Sequence, residues 1–207
     1  TEMPDGMFDH CTSLTKITMA DSIKNNIRRI GVGTFYDCPK LTTFAFGDSV
    51  AKIDACGFMG CTGLGKVTLP ESVKHIGHDA FSACQKMSEI NIPANVDSIG
   101  DHAFKDAHAL KQITMSDSVK YLGEQAFAYC QNLTSAKISK SITEIRFKTF
   151  AGCTKLTDFT LSPNITIIAD SAFQGVKCFD TLKLSNLNSV GDYAFADCGK
   201  LKYVYMP

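Results

Sequence analysis

The sequence predicts a solenoid: a right-handed superhelix of about nine 23-residue repeats, with a continuous parallel β-sheet on one face. Two counts indicate this fold, because nine of the 14 phenylalanines recur at steps of 22 to 27 residues, and seven of the nine cysteines lie three residues after one of them. The recurring phenylalanines are Phe8, Phe35, Phe58, Phe81, Phe104, Phe127, Phe150, Phe173 and Phe195. Nine units of 23 residues account for all 207, so we expect one domain over residues 1–207.

Each repeat is predicted to contain a strand, a short second strand and one helical or 3₁₀ turn. With the phenylalanine as position 0, apolar residues at +9 and +11 alternate with polar ones at +8 and +10, which is the period of a half-buried strand. Apolar residues at −8 and −5 frame the shorter strand. The recurring Ala-Phe-x-x-Cys places small and apolar residues on one face of a single turn. No repeat covers its own apolar face, so the repeats must stack.

One repeat departs from the 23-residue period. Repeat two has four extra residues around 24–27, which are expected to bulge outward as a loop.

The charge balance and the short apolar runs exclude some classes of partner. Lys plus Arg and Asp plus Glu both number 21, and a net charge of zero argues against nucleic acid as a partner. The apolar runs are too short for membrane insertion. Single glycines recur once per repeat, which indicates turns of the backbone and not a glycine-rich nucleotide-binding loop, so no cofactor is expected.

The best-matched repeat, residues 76–96, carries a recognisable motif: Ile76-Gly77, Ala80-Phe81, Cys84, Met87, Ile90, Ile92-Pro93 and Asn95-Val96. This pattern resembles the BspA-type leucine-rich repeat of bacterial and protist surface proteins, and the resemblance covers the entire chain. It implies a leucine-rich-repeat solenoid with a non-enzymatic protein-interaction or adhesion role, located at the cell surface or secreted. It carries over no catalytic residues.

The outward positions of the longer strand are the predicted binding surface, with a protein or a glycan as the partner. In the middle of the chain this face consists of Lys66, Thr68, Glu89, Asn91, Gln112, Thr114, Ser135, Lys137, Asp158 and Thr160. The alternative interpretation is that threonine is simply a good exposed strand former. The middle of this face also lacks the Trp, Tyr and Arg side chains that usually dominate binding energy.

The seven cysteines that lie three residues after a recurring phenylalanine are here called the cysteine column. They have three interpretations, of which buried thiols are favoured over disulfides or a metal. Neighbouring repeats bring these cysteines within disulfide range, but their side chains should point in parallel. Ala107 and Val176 replace cysteine in two repeats, which fits packing and not pairing. Unpaired thiols are typical of a reducing setting, so an intracellular scaffold that uses the same face in the cytoplasm is the alternative function.

Histidines and carboxylates recur in the turn of three consecutive repeats, as His78-Asp79, Asp101-His102 and Glu124-Gln125. Stacking predicts a column of His78, Asp101 and Glu124, with Asp79 beside His102. These residue types ligate metals, but solvated polar residues are the default in a turn, so neither a metal site nor a catalytic site is expected. An enzymatic hypothesis, the weakest of the three, would assign the activity to His78, Asp101 and His102.

The chain begins and ends within repeats, without the polar caps that solenoids need. We therefore expect a segment of a longer array, or ends that associate with each other. Asn132 and Asn164 match the acceptor pattern for N-glycosylation, and Asn132 is expected to be the more accessible.

Overall fold

A computed structural model describes residues 1–184 and 186–206, and shows a parallel β-solenoid of about nine turns with little helix. The described residues contain sixteen short strands and one short helix. The elements are β1 (Glu2–Met3), α1 (Asp21–Lys24), β2 (Arg29–Ile30), β3 (Lys52–Ile53), β4 (Lys66–Val67), β5 (His75–Ile76), β6 (Glu89–Ile90), β7 (Ser98–Ile99), β8 (Gln112–Thr114), β9 (Tyr121–Leu122), β10 (Ser135–Lys137), β11 (Glu144–Ile145), β12 (Asp158–Phe159), β13 (Ile167–Ile168), β14 (Thr181–Lys183), β15 (Ser189–Val190) and β16 (Tyr203–Tyr205). The stacked fold of about nine 23-residue turns is therefore confirmed.

The longest sheet is built from the short second strand of each repeat. Six of these strands pair in the order β1-β2-β3-β5-β7-β9, and β11-β13-β15 form a second sheet of the same kind. Every pairing is parallel, and like positions face each other, as Ile53 faces Ile76. Because the side-chain period of a strand is two residues, this register keeps one column buried and its neighbour exposed along the sheet.

The face of the longer strand differs from the expectation of one continuous sheet. It carries three separate sheets, β4-β6, β8-β10-β12 and β14-β16. The pairing of β4 with β6 is short because the Asn91 side chain takes over the backbone groups of Leu69 directly after these strands. Its Nδ2 donates to the Leu69 carbonyl at 2.9 Å, and its Oδ1 accepts from the Leu69 N–H at 2.7 Å. The Leu69 backbone is therefore satisfied by a side chain, and the strand pairing ends there.

The segment around each phenylalanine is a run of hydrogen-bonded turns and not a helix. Cys61 N–H donates to the Phe58 carbonyl at 3.1 Å within the repeat, whereas Phe58 N–H donates to the Ala80 carbonyl of the next repeat at 2.8 Å. Cys56 and Gly60 have φ of 57° and 74°, in the left-handed region that a right-handed helix excludes. Alternate N–H groups therefore point along the solenoid and form a second backbone ladder.

The four extra residues of repeat two leave the stacked core undisturbed. The helix α1 reaches into the segment 24–27 that was predicted as an outward loop, and contains no buried residue. Ile27, the last residue of that segment, departs from the prediction, because it is 4% exposed and lies in the core. The rest of the insertion is confined to the outside of the solenoid.

The core is dominated by a stack of phenylalanine rings that runs from the first repeat to the last. Consecutive ring centroids are 4.9–5.7 Å apart and the ring planes are within 20° of parallel. Seven of the nine rings are fully buried: Phe35, Phe58, Phe81, Phe104, Phe127, Phe150 and Phe173. Each such pair contributes about 0.5–1.5 kcal/mol beyond its buried area. The fixed ring spacing shows that adjacent repeats are in register.

Glycine at position 100, directly after a short strand, is favoured by the close approach of two backbones. A Cβ on Gly100 would lie 2.6 Å from the His78 nitrogen and 2.7 Å from the Gly77 carbonyl carbon. Both are backbone atoms of the preceding repeat, so an added Cβ must displace the ladder locally. A Cβ on Gly65, by contrast, would meet nothing within 4 Å.

Replacing Gly100 by alanine is expected to lower the free energy of unfolding by about 1–3 kcal/mol, because overpacking displaces backbone. The matched control is Gly65→Ala, which should be neutral or stabilise by up to about 1 kcal/mol through the entropy of the unfolded chain. Urea unfolding followed by circular dichroism measures both. Equal midpoints for the two variants would contradict the close approach.

Candidate functional site

The ten predicted binding residues, here called the sheet-face residues, line two adjoining grooves on the longer-strand side. The first groove has a volume of about 610 Å³ and the second of about 680 Å³. Six of the sheet-face residues line the first groove: Lys66, Thr68, Glu89, Asn91, Gln112 and Thr114. Five line the second: Thr114, Ser135, Lys137, Asp158 and Thr160. Nine of the ten are exposed, Ser135 is half-buried, and Thr114 belongs to both grooves.

Five of the sheet-face side chains bond to neighbouring repeats. Lys66 Nζ lies 2.8 Å from Glu89 Oε2, and the Ser135 hydroxyl donates to Asp158 Oδ2 at 2.7 Å. The hydrogen bond between Lys66 and Glu89 raises the pKa of the lysine and lowers the pKa of the glutamate. Both groups are exposed, so the pair adds little stability. Asn91 is held by the Leu69 backbone as described above.

The second groove contains residues that the strand pattern did not indicate. Lys140, Ser162, Pro163 and Asn164 line it beside the sheet-face residues. They come from the bend after each strand, which the solenoid folds against the groove. The only sequence signal for them was their closeness to the strand in the chain. They place a second lysine near Lys137 and give this groove a more basic lining.

The floor of the second groove is apolar. Ala136 and Ile138 are almost completely buried, whereas Leu161 is half-buried. Apolar floors with a few polar groups on the rim are typical of surfaces that bind ligands. This groove can therefore contact an apolar group while its rim offers hydroxyl, ammonium and carboxylate groups.

The thiols of the cysteine column are structural donors. Six of them donate to the carbonyl of the phenylalanine in the preceding repeat, with Sγ–O distances of 3.0–3.3 Å. The donors are Cys38, Cys61, Cys84, Cys130, Cys153 and Cys198. All nine cysteines are free. The hydrogen bond explains why cysteine is used where alanine would also fit.

Burial suppresses the reactivity of these thiols. It raises the pKa of Cys61 and of Cys153 to about 12, and that of Cys84 and Cys130 well above the usual value. The thiolate is the nucleophile and the metal ligand, so a thiol that stays protonated is inert in both roles. The column has the properties of packing and not of a reactive site.

Histidines and carboxylates meet in the turns of repeats four and five, as stacking predicted. Asp79 Oδ2 lies 2.9 Å from His78 Nε2 and 3.7 Å from His102 Nδ1. His78 Nδ1 lies 3.9 Å from Asp101 Oδ2. Glu124, expected in the same column, contributes its backbone N–H, which donates to Asp101 at 3.0 Å. We call His78, Asp79 and His102 the histidine–aspartate cluster.

The two glycosylation motifs differ from the expected order of access. Asn132 is half-buried, donates to the His108 carbonyl at 2.7 Å and accepts from Lys155 Nζ at 2.7 Å. Asn164 is exposed, although its Nδ2 donates to the Lys140 carbonyl at 2.9 Å. The expectation that Asn132 is the more accessible is therefore wrong, because the next repeat covers it.

The stacked parallel turns, the phenylalanine column and the thiol donors define a leucine-rich-repeat solenoid. The sequence matches the family described as BspA type Leucine rich repeat region, in six copies over residues 1–133 and 97–207. The chain belongs to this family. The family indicates a protein-interaction module, and its fold is generally non-enzymatic.

Solved structures of bacterial leucine-rich repeat proteins share the fold. A protein from Bacteroides ovatus is 26% identical with a TM-score of 0.71 over 87% of this chain, and the match spans 59% of that protein. A T. pallidum leucine-rich repeat protein is 27% identical with a TM-score of 0.68, over 72% of this chain and 70% of that one. A leucine-rich cell surface protein from Faecalibacterium prausnitzii is 24% identical with a TM-score of 0.54, over 99% and 78%. A comparison with curated proteins finds no match.

Within residues 1–184 and 186–206, the only helix is too short to cross a lipid bilayer.

Alkylation with iodoacetamide near pH 8 is expected to leave Cys61, Cys84, Cys130 and Cys153 unmodified in the folded protein. A pKa of about 12 leaves roughly one thiol in 10⁴ as thiolate at that pH. The half-buried Cys11 should react first, and all nine cysteines should react in denaturant. Peptide mass mapping distinguishes them. Native labelling of Cys84 as fast as Cys11 would contradict the buried-donor role.

Proposed function

We propose that this chain is a recognition module at the cell surface that binds a protein or a glycan through its sheet-face grooves. One observation carries the proposal: ten outward side chains from five successive repeats line two adjoining grooves. The family supports an interaction role, and the surface location is proposed from family membership. Repeat solenoids present extended surfaces of this kind to their partners.

The chemistry of the grooves favours a polar, uncharged or mildly acidic ligand surface. Thr68, Thr114 and Thr160 present hydroxyl groups along the face, and Lys137 and Lys140 add positive charge in the second groove. Hydroxyl groups both donate and accept hydrogen bonds, so they suit peptide backbone and sugar hydroxyls alike. The apolar floor adds contact area beneath them.

An intracellular scaffold is the second candidate, and the nine free thiols favour it. Buried thiols with a strongly raised pKa resist oxidation, however, so they are also compatible with a surface location. Protease treatment of intact cells that carry the full-length gene separates the two. Digestion of this region supports the surface module, and protection until lysis supports the scaffold.

Two further expectations stay predictions. The expectation that residues 1–207 form one domain within a longer array is tested by the full reading frame. End-to-end self-association calls for sedimentation analysis.

The double substitution Thr114→Glu and Thr160→Glu is expected to weaken binding at least about tenfold, equivalent to about 1.4 kcal/mol. The added carboxylates alter the charge of both grooves and crowd them. The measurement is biolayer interferometry against extracellular-matrix proteins, mucin and a glycan array, with protease-treated and glycosidase-treated samples to separate protein from glycan ligands.

The control is Ser189→Glu, which adds one such carboxylate, half the charge of the double variant, on an exposed strand of the other sheet. It should bind like the unchanged protein, and circular dichroism should show all variants folded. A partner that binds the threonine variant normally and the Ser189 variant poorly would place recognition on the opposite side of the solenoid.

A further inference from the structure

We propose that His78, Asp79 and His102 form a binding site for a transition-metal ion of the Zn²⁺ class, shared by two successive repeats. The two imidazoles and the carboxylate offer ligand atoms that all lie within 4.8 Å of one another. The site lies in the turns after the short strands and shares no residue with the sheet-face grooves. It stands independently of the proposed function.

The geometry of the cluster is close to that of a bound ion. Tetrahedral zinc with bonds of about 2.0–2.1 Å separates its ligand atoms by about 3.3 Å. The separations from Asp79 Oδ2, 2.9 Å to His78 Nε2 and 3.7 Å to His102 Nδ1, lie on either side of that value. Shifts of a few tenths of an ångström bring these two separations to the zinc value, and the two imidazole nitrogens, which lie within 4.8 Å of each other, close on the same ion.

The carboxylate is the most enclosed of the three ligands. The Asp79 side chain is 17% exposed, whereas those of His102 and His78 are 26% and 50% exposed. The two rings pack edge to face against each other, with centroids 5.0 Å apart and planes at 75°. A largely desolvated carboxylate beside two imidazoles attracts a cation more strongly than an exposed one.

Polar groups lie beyond both imidazoles, in the place that outer-shell groups take in established metal sites. Asp101 lies 3.9 Å from His78 Nδ1, on the side of the ring away from Asp79. Asp101 is itself held, because its Oδ1 accepts from the Tyr121 hydroxyl at 2.9 Å and from the Glu124 N–H at 3.0 Å. The separation from His78 is longer than a hydrogen bond, so a small rotation of the ring toward Asp101 would form the carboxylate–histidine pair that orients a metal ligand.

Gln125 plays the corresponding part for His102. Its amide nitrogen lies 3.0 Å from His102 Nε2, which leaves Nδ1 of the ring directed at Asp79. When Nδ1 ligates a metal, the ring proton resides on Nε2, and the Gln125 amide turns over to accept it with its oxygen. The glutamine amide can therefore bond His102 Nε2 both with and without a metal on Nδ1, so the ring keeps its orientation.

The backbone fixes the cluster before any ion arrives. Asp79 and His102 have φ of 51° and 57°, and each occupies the same left-handed position in its own repeat. Asp79 N–H donates to the Asp101 carbonyl at 2.9 Å, and His102 N–H donates to the Glu124 carbonyl at 2.8 Å. The ladder thus aligns the two side chains one repeat apart, and little ordering remains to oppose binding.

The ligand set selects the class of metal. Two imidazole nitrogens and one carboxylate suit zinc and its neighbours, while magnesium and calcium prefer oxygen ligands alone. Three protein ligands leave a fourth position for water or for a side chain from a partner. Because the ligands come from repeats four and five, the ion joins these repeats and stabilises their contact.

The test is a titration of the reduced, chelator-treated full chain with Zn²⁺ by calorimetry. The expected result is one ion per chain, with a rise in the thermal unfolding midpoint. The variant His78→Gln with His102→Asn should lose this binding and the midpoint shift. Asparagine tolerates the left-handed conformation at 102, so the variant should fold. Its unfolding midpoint without metal, equal to that of the unchanged protein, confirms this.

The matched control is His75→Gln with His108→Gln, because these two exposed or half-buried histidines lie outside the cluster on neighbouring turns. It should bind Zn²⁺ as the unchanged protein does. Asp101→Asn retains all three ligands and should weaken binding about 10–100-fold at unchanged stoichiometry. Weaker binding at unchanged stoichiometry would identify Asp101 as an orienting group, because loss of a ligand would abolish binding.

Cys56 precedes Asp79 at the same turn position, and its sulfur is an alternative zinc ligand. The variant Cys56→Ser should retain the site, and Co²⁺ as a probe should show tetrahedral visible absorption without a thiolate charge-transfer band. The proposal is overturned if the His78 and His102 variant binds Zn²⁺ normally, or if Cys56→Ser abolishes binding.

Discussion

The structure depends on the backbone hydrogen bonds between successive repeats. On the short-strand side, N–H groups donate to the preceding repeat, as Asp54 donates to the Ile30 carbonyl at 2.9 Å. In the turns the direction reverses, and Phe58 donates to the following repeat. Because buried backbone groups must be paired, the two ladders fix the spacing of the repeats on both sides of the core. Every side chain is thereby stacked on its counterpart 23 residues away.

This stacking restricts the residues that each column accepts. A column must consist of side chains that pack against copies of themselves, which phenylalanine achieves by parallel rings and cysteine by donating to a neighbouring carbonyl. Where the backbones approach most closely, glycine is usual. Asp54 is a departure from this rule, and its buried carboxylate is bonded by Arg29 and lies 2.7 Å from Lys52 Nζ. A charge is retained there because cations from two repeats reach it.

The period alone predicted which residues share a column, and hence the core, the free thiols and the meeting of Asp79 with His102. The period could not predict features that depend on the conformation of one side chain. Asn91 bonds the backbone of Leu69 and ends the pairing of β4 with β6, but in the sequence it is one more polar residue on an exposed face. The left-handed turn residues were equally hidden, because Cys56, Asp79 and His102 are not glycine. The ladder imposes that conformation, and local preference does not reveal it.

The register that builds the core also brings polar side chains together on the surface. Two residues 23 positions apart become neighbours, so a binding site can form from two compatible side chains in one column, without an added loop. On the sheet face the columns carry hydroxyls and scattered charges that can adapt to a macromolecular surface. In the turns of repeats four and five, one column gives aspartate followed by histidine, and a second histidine lies beside them. An imidazole–carboxylate–imidazole arrangement adds nothing to an apolar core, and it faces outward on rigid backbone. The metal site proposed above gives these polar side chains a role, whereas packing accounts for the apolar columns.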